Sequence, residues 1–257
     1  MAGERNRVTE LKEYLSSLGI CINIGKNKAR GHKGLFMHKF NSSRIDISDD
    51  VECDKILSVI LHEFAHYIHH TYDKTLNSLD FIFDDYTDNL REELIKITVN
   101  EIPKDFAQSL YNKKESLNAE LKELTSDMKK LCPDFKLSER NKKIEKSINY
   151  PFKYLLKYDR VKFMSRIYSV CEAGEYGLGD EAKLYLCIKS KQRAIKRINS
   201  KISRLNKYYN SPAELFARFL DAYYTKSEYT NLNAPLACSY LKKSKNKYIE
   251  KLNCIFG

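Results

Sequence analysis

The sequence predicts an α+β fold in which helices predominate, with a small N-terminal sheet and a long helical insertion. Three observations lead to this prediction. Apolar residues recur at helical spacing through residues 56–68. Narrow apolar seams recur in residues 117–131 and 195–205, as in amphipathic helices. Before residue 50, three short segments bounded by turn residues have the composition of strands.

The first fifty residues are expected to form one helix and three strands. Residues 8–18 form a short amphipathic helix that ends at Gly19, because glycine is a common C-cap residue. Strands are expected at residues 20–24, 34–40 and 44–48. An extended peptide could pair with the free edge of one of these strands, but the sequence does not distinguish which one.

The next segment carries an H-E-x-x-H motif formed by His62, Glu63 and His66. Residues four apart lie on the same face of a helix, so both imidazoles can reach one metal ion. Glu63 is rotated by about 100° from His62, which places its carboxylate beside the ion, where water would bind. A carboxylate in that position can take a proton from the water and give it to a leaving amine. Asp49 or Asp50 is expected to cap this helix.

Two features after the motif limit the choice of further ligands. His69 lies about 10 Å along the helix axis from His62, too far to share one ion, so we expect it at the surface or in the outer shell. Tyr72 stands where the metzincin pattern requires a third histidine or aspartate. A further helix is expected near residues 89–101, before Pro103.

A third ligand is expected elsewhere, since two imidazoles hold a catalytic metal poorly. Glu214 is one candidate, in the first turn of a helix that Ser211 would cap and Pro212 would begin. Ser211-x-x-Glu214 is also a capping box, in which the glutamate would instead bond the amide of the cap. Glu92 and Glu93 are rival ligands, and on spacing alone they would be preferred.

The net charge of +11 is concentrated in the middle of the chain. Residues 104–208 contain 25 Lys and Arg against 13 Asp and Glu, and the remainder is nearly neutral. This asymmetry indicates either an acidic partner such as nucleic acid or a lysine-rich, solvated helical surface. The two amphipathic helices of this region could pair as a hairpin or pack separately on the core.

Composition indicates a cytoplasmic protein. The seven cysteines form no C-x-x-C pair and are expected as reduced thiols. No segment approaches the run of about 18 apolar residues that spans a membrane, and the N-terminus lacks the apolar core of a secretory signal. We therefore expect no membrane partner.

The H-E-x-x-H helix is paired with a distant segment, Ser-Pro-x-Glu-Leu-Phe-Ala-Arg-Phe, which begins at Ser211. Together they resemble the zinc metallopeptidase domains of mobile genetic elements, including polyvalent proteins and the C-terminal part of ArdC-type antirestriction proteins. The resemblance covers residues 34–72 and 208–226. It implies a zincin-like fold of the gluzincin type, one zinc ion bound by His62, His66 and Glu214, and Glu63 as general base. The long basic connection between the two motifs departs from that group.

The expected organisation is an N-terminal half at 1–103, a basic helical insertion at 104–208 and a C-terminal helical part at 209–257, in one compact catalytic unit. Asp221 could accept the second ring N–H of a ligating histidine, although Arg218 and Asp221 could equally form ordinary salt bridges. Tyr223 or Tyr224 could donate a hydrogen bond to an oxyanion.

The expected function is zinc-dependent hydrolysis of internal peptide bonds in a peptide or protein substrate. The alternative is a regulatory or antirestriction module that binds nucleic acid or protein, with a non-catalytic zinc site. Its nucleic-acid partner would bind the 104–208 region. In a third version, the basic insertion covers the cleft of an intact peptidase until a partner displaces it.

Overall fold

The computed structural model describes residues 2–26, 28–29, 32–40, 42–83, 87–101, 104–155 and 160–257. These residues are mostly helical, as predicted, and they include the predicted N-terminal sheet and a second small sheet that was not predicted. The helices are α1 (Ala2–Ser17), α2 (Ile56–Tyr72), α3 (Asp88–Glu101), α4 (Lys104–Leu131), α5 (Lys142–Asn149), α6 (Asp180–Tyr209), α7 (Pro212–Thr225), α8 (Ser227–Asn233), α9 (Pro235–Lys243) and α10 (Lys247–Phe256). The strands are β1 (Ile20–Ile24), β2 (Gly34–Lys39), β3 (Ser42–Ile47), β4 (Phe152–Leu155), β5 (Arg160–Phe163) and β6 (Arg166–Ser169).

The chain divides into two compact units, each with its own apolar core. The first unit comprises Met1–Ile102 together with Asn206–Gly257. The second unit comprises Pro103–Leu205. The H-E-x-x-H helix and the Glu214 helix, 150 positions apart in the sequence, therefore belong to the same unit.

The sheet of the first unit has the order β1-β3-β2. β1 runs parallel to β3, and β2 runs antiparallel to it. The Ser48 N–H donates a hydrogen bond to the Lys33 carbonyl oxygen at 3.0 Å. Lys33 and Ser48 are therefore a hydrogen-bonded pair, and the next pair in the register is Gly34–Ile47. Because hydrogen-bonded and non-hydrogen-bonded pairs alternate, Gly34, Phe36 and His38 direct their backbone N–H and C=O groups away from β3. These groups lie along an edge of β2 that no described strand covers.

The motif helix α2 passes through the core of the first unit and packs along α7. Its apolar face is fully buried at Ile60, Leu61, Phe64 and Ile68. The predicted cap at Asp49 or Asp50 is wrong. A 3₁₀ turn at Cys53–Lys55 leads directly into α2, so the helix begins several residues beyond both aspartates and has no side-chain cap.

The second unit contains α4, α5, the antiparallel sheet β4-β5-β6 and α6 up to Leu205. Its core includes Met128 and Phe152, together with Tyr185 and Ile188 of α6. The insertion was predicted to be helical, but besides its helices it contains a three-stranded sheet that follows Pro151. The strands have only four residues each, too few for periodicity to separate them from loops.

No helix among the described residues is both long enough and apolar enough to cross a membrane.

Candidate metal centre

The two histidines of the motif lie one turn apart on α2. Their ring centroids are 5.0 Å apart. The side chains of His62 and His66 are only 18% and 15% exposed, so both rings are largely shielded from solvent. This spacing is the one that a helix imposes on positions i and i+4, and it leaves both Nε2 atoms facing the same carboxylate.

That carboxylate is Glu214, in the first turn of α7. Its Oε1 lies 3.3 Å from His66 Nε2. Its Oε2 lies 3.6 Å from His62 Nε2. The ligand atoms of the three residues all lie within 4.8 Å of one another. The structure therefore brings together the three residues that the sequence analysis singled out as metal ligands.

The capping-box alternative for Glu214 is half fulfilled. Ser211 Oγ accepts the Glu214 backbone N–H at 3.4 Å, so Ser211 does cap α7. The Glu214 side chain, however, points to the imidazole pair on α2. The cap fixes the start of α7, and the start of α7 in turn positions the carboxylate.

The geometry of these donors fits a bound metal ion. Two ligands on one tetrahedral ion, with bonds of about 2.1 Å, lie about 3.4 Å apart. The two measured nitrogen–oxygen distances, 3.3 and 3.6 Å, bracket that value. Moreover, Glu214 Oε2 is buried and has no hydrogen-bond partner among the described residues. Arg218 Nη2, at 3.6 Å, is too far from this oxygen to donate a hydrogen bond. A metal ion held by His62, His66 and Glu214 would satisfy it.

The protonation states of the two histidines differ. Burial lowers the pKa of His62 to about 3, so its ring is neutral at physiological pH. Burial opposes ionisation of Glu214, but the hydrogen bond from His66 and the positive charge of that ring outweigh it and lower the pKa of Glu214 to about 2. Burial also lowers the pKa of His66, but Glu214 outweighs this effect and raises it above the ordinary value. The carboxylate is thus the anion of the site.

Two aromatic residues at the end of α6 and one arginine of α7 support Glu214. Tyr208 lies near Glu214, and burial together with the charge of this carboxylate raises the pKa of Tyr208. Arg218 Nη2 lies 3.6 Å from Glu214 Oε2. Its guanidinium stacks over the Tyr209 ring at 4.9 Å. Neither tyrosine was predicted as a site residue, although their place just before the Ser211 cap puts them beside the first turn of α7.

Glu63 lies beside the triad and is fixed by the sheet. Its Oε2 accepts the Phe36 backbone N–H at 2.7 Å. Because this N–H points away from β3, the bond shows that the uncovered edge of β2 faces Glu63. The residue is only 7% exposed, and burial raises the pKa of Glu63 above its ordinary value. A buried carboxylate with a raised pKa is suited to accept and return a proton.

The close approach of β2 to α2 depends on Gly34. A Cβ atom at this position would lie 2.6 Å from Val59 Cγ1 and 2.8 Å from Glu63 Oε1. Both distances are too short for any side chain, and the branched Val59 has little freedom to move. The absence of a side chain at residue 34 therefore lets the strand lie against the Glu63 carboxylate.

We expect Gly34→Ala to lower the free energy of unfolding by about 1–3 kcal/mol, the usual cost of overpacking, and to displace Glu63. Urea unfolding measures the first effect. Gly179→Ala is the matched control, because a Cβ there would meet nothing within 4 Å. Equal stability of the two variants would contradict the tight packing described for Gly34.

Of the remaining predicted residues, Asp221 lies in the α2–α7 interface. Its Oδ2 accepts a hydrogen bond from Ser58, one turn before His62, at 2.6 Å. Its predicted bond to a ligating histidine stays a prediction. Tyr223 lies nine positions after Glu214, on the opposite side of α7. Its ring packs against Phe219, so this geometry does not support the predicted role at an oxyanion.

The rival ligands and the third histidine of α2 have other surroundings. Glu93 accepts the backbone N–H groups of Leu236 and Ala237 at 3.3 and 3.0 Å, which places it at the start of α9. Glu92 is exposed.

His69 is fully buried, with its ring 5.1 Å from Phe81, so the expectation of a surface position is wrong. Helical spacing did not reveal this burial, because the segment that covers His69 comes later in the chain.

The site thus combines three residues that can hold a metal ion with a buried carboxylate at the neighbouring position of α2. Comparison of the chain with family models, with curated proteins and with solved structures found no match. Its function is therefore inferred from the chemistry of the site.

Proposed function

We propose that this protein is a zinc-dependent endopeptidase and that its first unit is a zincin-like catalytic unit of the gluzincin type. The observation that carries the proposal is the position of the Glu214 carboxylate, 3.3 and 3.6 Å from the two imidazoles of an H-E-x-x-H helix. Two histidines, one glutamate and an open position are the ligand set of catalytic zinc in peptidases. The resemblance to the zinc metallopeptidase domains of mobile genetic elements supports the same assignment.

A zinc ion held by His62, His66 and Glu214 would polarise the scissile carbonyl and acidify the attacking water. Glu63 acts as general base: it takes a proton from this water and then gives it to the leaving amine nitrogen. Phe36 N–H holds Glu63 Oε2, so Oε1 is the oxygen that receives the proton. Tyr208 and Arg218 keep the Glu214 carboxylate anionic and directed at the histidines.

The edge of β2 supplies a place for the substrate. An extended peptide can add a strand to an uncovered edge through main-chain hydrogen bonds. In β2 the groups directed outward belong to Gly34, Phe36 and His38. Since the Phe36 N–H is bonded to Glu63, the other outward groups would pair with the peptide. A peptide paired along this edge would pass the base in mid-chain, which favours an endopeptidase over an exopeptidase.

We expect the purified protein to cleave internally quenched peptides from a random library, with activity lost on removal of the metal by 1,10-phenanthroline. Added zinc should restore cleavage, because the site is built from neutral nitrogen and carboxylate ligands, whereas magnesium should not, since it prefers oxygen ligands. A non-chelating isomer of phenanthroline is the control. Cleavage that persists in the metal-free protein would overturn the proposal.

A further inference from the structure

Helix α6 of the second unit carries a strong excess of positive charge. From Ala182 to Tyr209 it contains nine Lys and Arg and no Asp or Glu. Two ion pairs lie elsewhere on this helix, one between Lys183 and Asp180 and one between Lys191 and Glu120. The excess is therefore a property of this helix and not only of the region around it.

Five of these cations form one continuous surface, which we call the basic face of α6. Its residues are Lys189, Arg193, Lys196, Arg197 and Arg204. At about 100° per residue they fall within an arc of about 100°, and at 1.5 Å per residue they extend over about 22 Å. Ile188 and Ile198 are buried on the opposite side of the helix.

Four of the five cations of the basic face are available for a ligand, while Lys189 is half-buried and its Nζ lies 5.1 Å over the Tyr185 ring. Arg193, Lys196, Arg197 and Arg204 are exposed. Among the described residues, no carboxylate lies within 4.0 Å of any of these four. Clustered cations of one sign repel each other, so the arrangement costs free energy until an anion neutralises it.

Hydrogen-bonding groups lie beside the cations. A groove between α4 and α6 is lined by Lys196 and Arg204 together with polar side chains. Those polar residues are Asn118, Gln192, Asn199, Ser200 and Ser203, and the apolar side chains of Leu121 and Ile195 complete the lining. Amide and hydroxyl groups next to Arg and Lys are the usual donors to phosphate oxygens.

We propose that the basic face of α6 binds the phosphate backbone of double-stranded DNA. A helix with its side chains is about 10–12 Å across and fits the major groove of B-DNA, which is about 12 Å wide, whereas the major groove of A-form RNA is too narrow. Between residues 189 and 204, Ser200 is the one position within this arc that is not a cation, so the face has no apolar residue to insert into a lipid bilayer. It also lacks the aromatic anchors typical of protein interfaces.

The test uses the full-length chain and a fluorescent DNA duplex of about 20 base pairs, with affinity measured by anisotropy at about 50–200 mM KCl. If the four exposed cations each neutralise a phosphate, the slope of log K against log salt concentration should approach about −3.6. The variant R193E/R197E/R204E should bind at least about 100-fold more weakly, and its slope should be smaller by about 3.

The matched control is K242E/K243E/K245E, which changes the net charge equally at exposed residues of the first unit. It should retain the wild-type slope. Circular dichroism checks that each variant folds. If R193E/R197E/R204E does not fold, R193Q/R197Q/R204Q is used in its place.

Absence of binding at low salt, an unchanged affinity of the α6 variant, or an equal loss in the control would overturn the proposal. Tighter binding to duplex RNA, or to vesicles that contain phosphatidylserine, would also overturn it. The measurement needs no peptidase activity, so its outcome is independent of the proposed function.

Discussion

Glu63→Gln is expected to retain the metal and to lower kcat for peptide cleavage by about 10²–10⁴-fold, the usual contribution of a general acid–base residue. The glutamine has nearly the same shape, and its amide oxygen can still accept the Phe36 N–H that now bonds Oε2 at 2.7 Å. It cannot, however, take a proton from water. Steady-state kinetics and elemental analysis of the same preparation measure the two quantities, and KM should change little.

Glu92→Gln is the control for this prediction, since Glu92 is an exposed glutamate on α3. It should cleave at the wild-type rate. If Glu63→Gln is as active as wild type, Glu63 is not the base. If the variant instead loses the metal, the carboxylate has a role in holding the ion that its bond to β2 does not explain.

Glu214→Ala is expected to remove the metal, from about one ion per chain to almost none after dialysis. The loss leaves only two imidazoles, and it should cost more than the 10–100-fold in affinity that follows loss of a residue that merely supports a ligand. Competition with a chromophoric chelator measures the affinity. The fold should survive, because Ser211 still caps α7 and the apolar face of that helix is unchanged.

Glu93→Ala is the matched control, because spacing in the sequence made Glu93 the stronger rival. Its carboxylate accepts two backbone N–H groups at the start of α9, so its loss should lower the free energy of unfolding by about 0.5–2 kcal/mol, the cost of a lost cap. The metal content should stay at the wild-type level. If Glu93→Ala loses the ion and Glu214→Ala keeps it, the third ligand is Glu93 and not Glu214.

Local patterns were enough to predict the elements that form the site. The strands β1 to β3, the motif helix and the helix that begins at Pro212 were each placed within a few residues. Their signals are local: apolar periodicity, turn residues, and a Ser-Pro pair at a helix start. The spacing of His62 and His66 follows from the helix itself.

Contacts between distant segments were beyond the same reasoning. Spacing favoured Glu93 over Glu214, and only the packing of α2 along α7 distinguishes them. Tyr208 acts on Glu214 across the connection between two helices, and His69 is covered by Phe81 and Phe216. These arrangements depend on how helices pack in three dimensions, which a one-dimensional period does not encode.

The bond between Phe36 N–H and Glu63 joins substrate recognition to proton transfer. Under the proposed function, the strand that aligns the peptide also holds the base. A peptide that pairs poorly with β2 would therefore also displace the Glu63 carboxylate. Such a peptide would be bound and then turned over slowly. Selectivity among peptides would consequently appear in kcat more than in KM, and the enzyme would reject poor sequences during the reaction and not at the encounter.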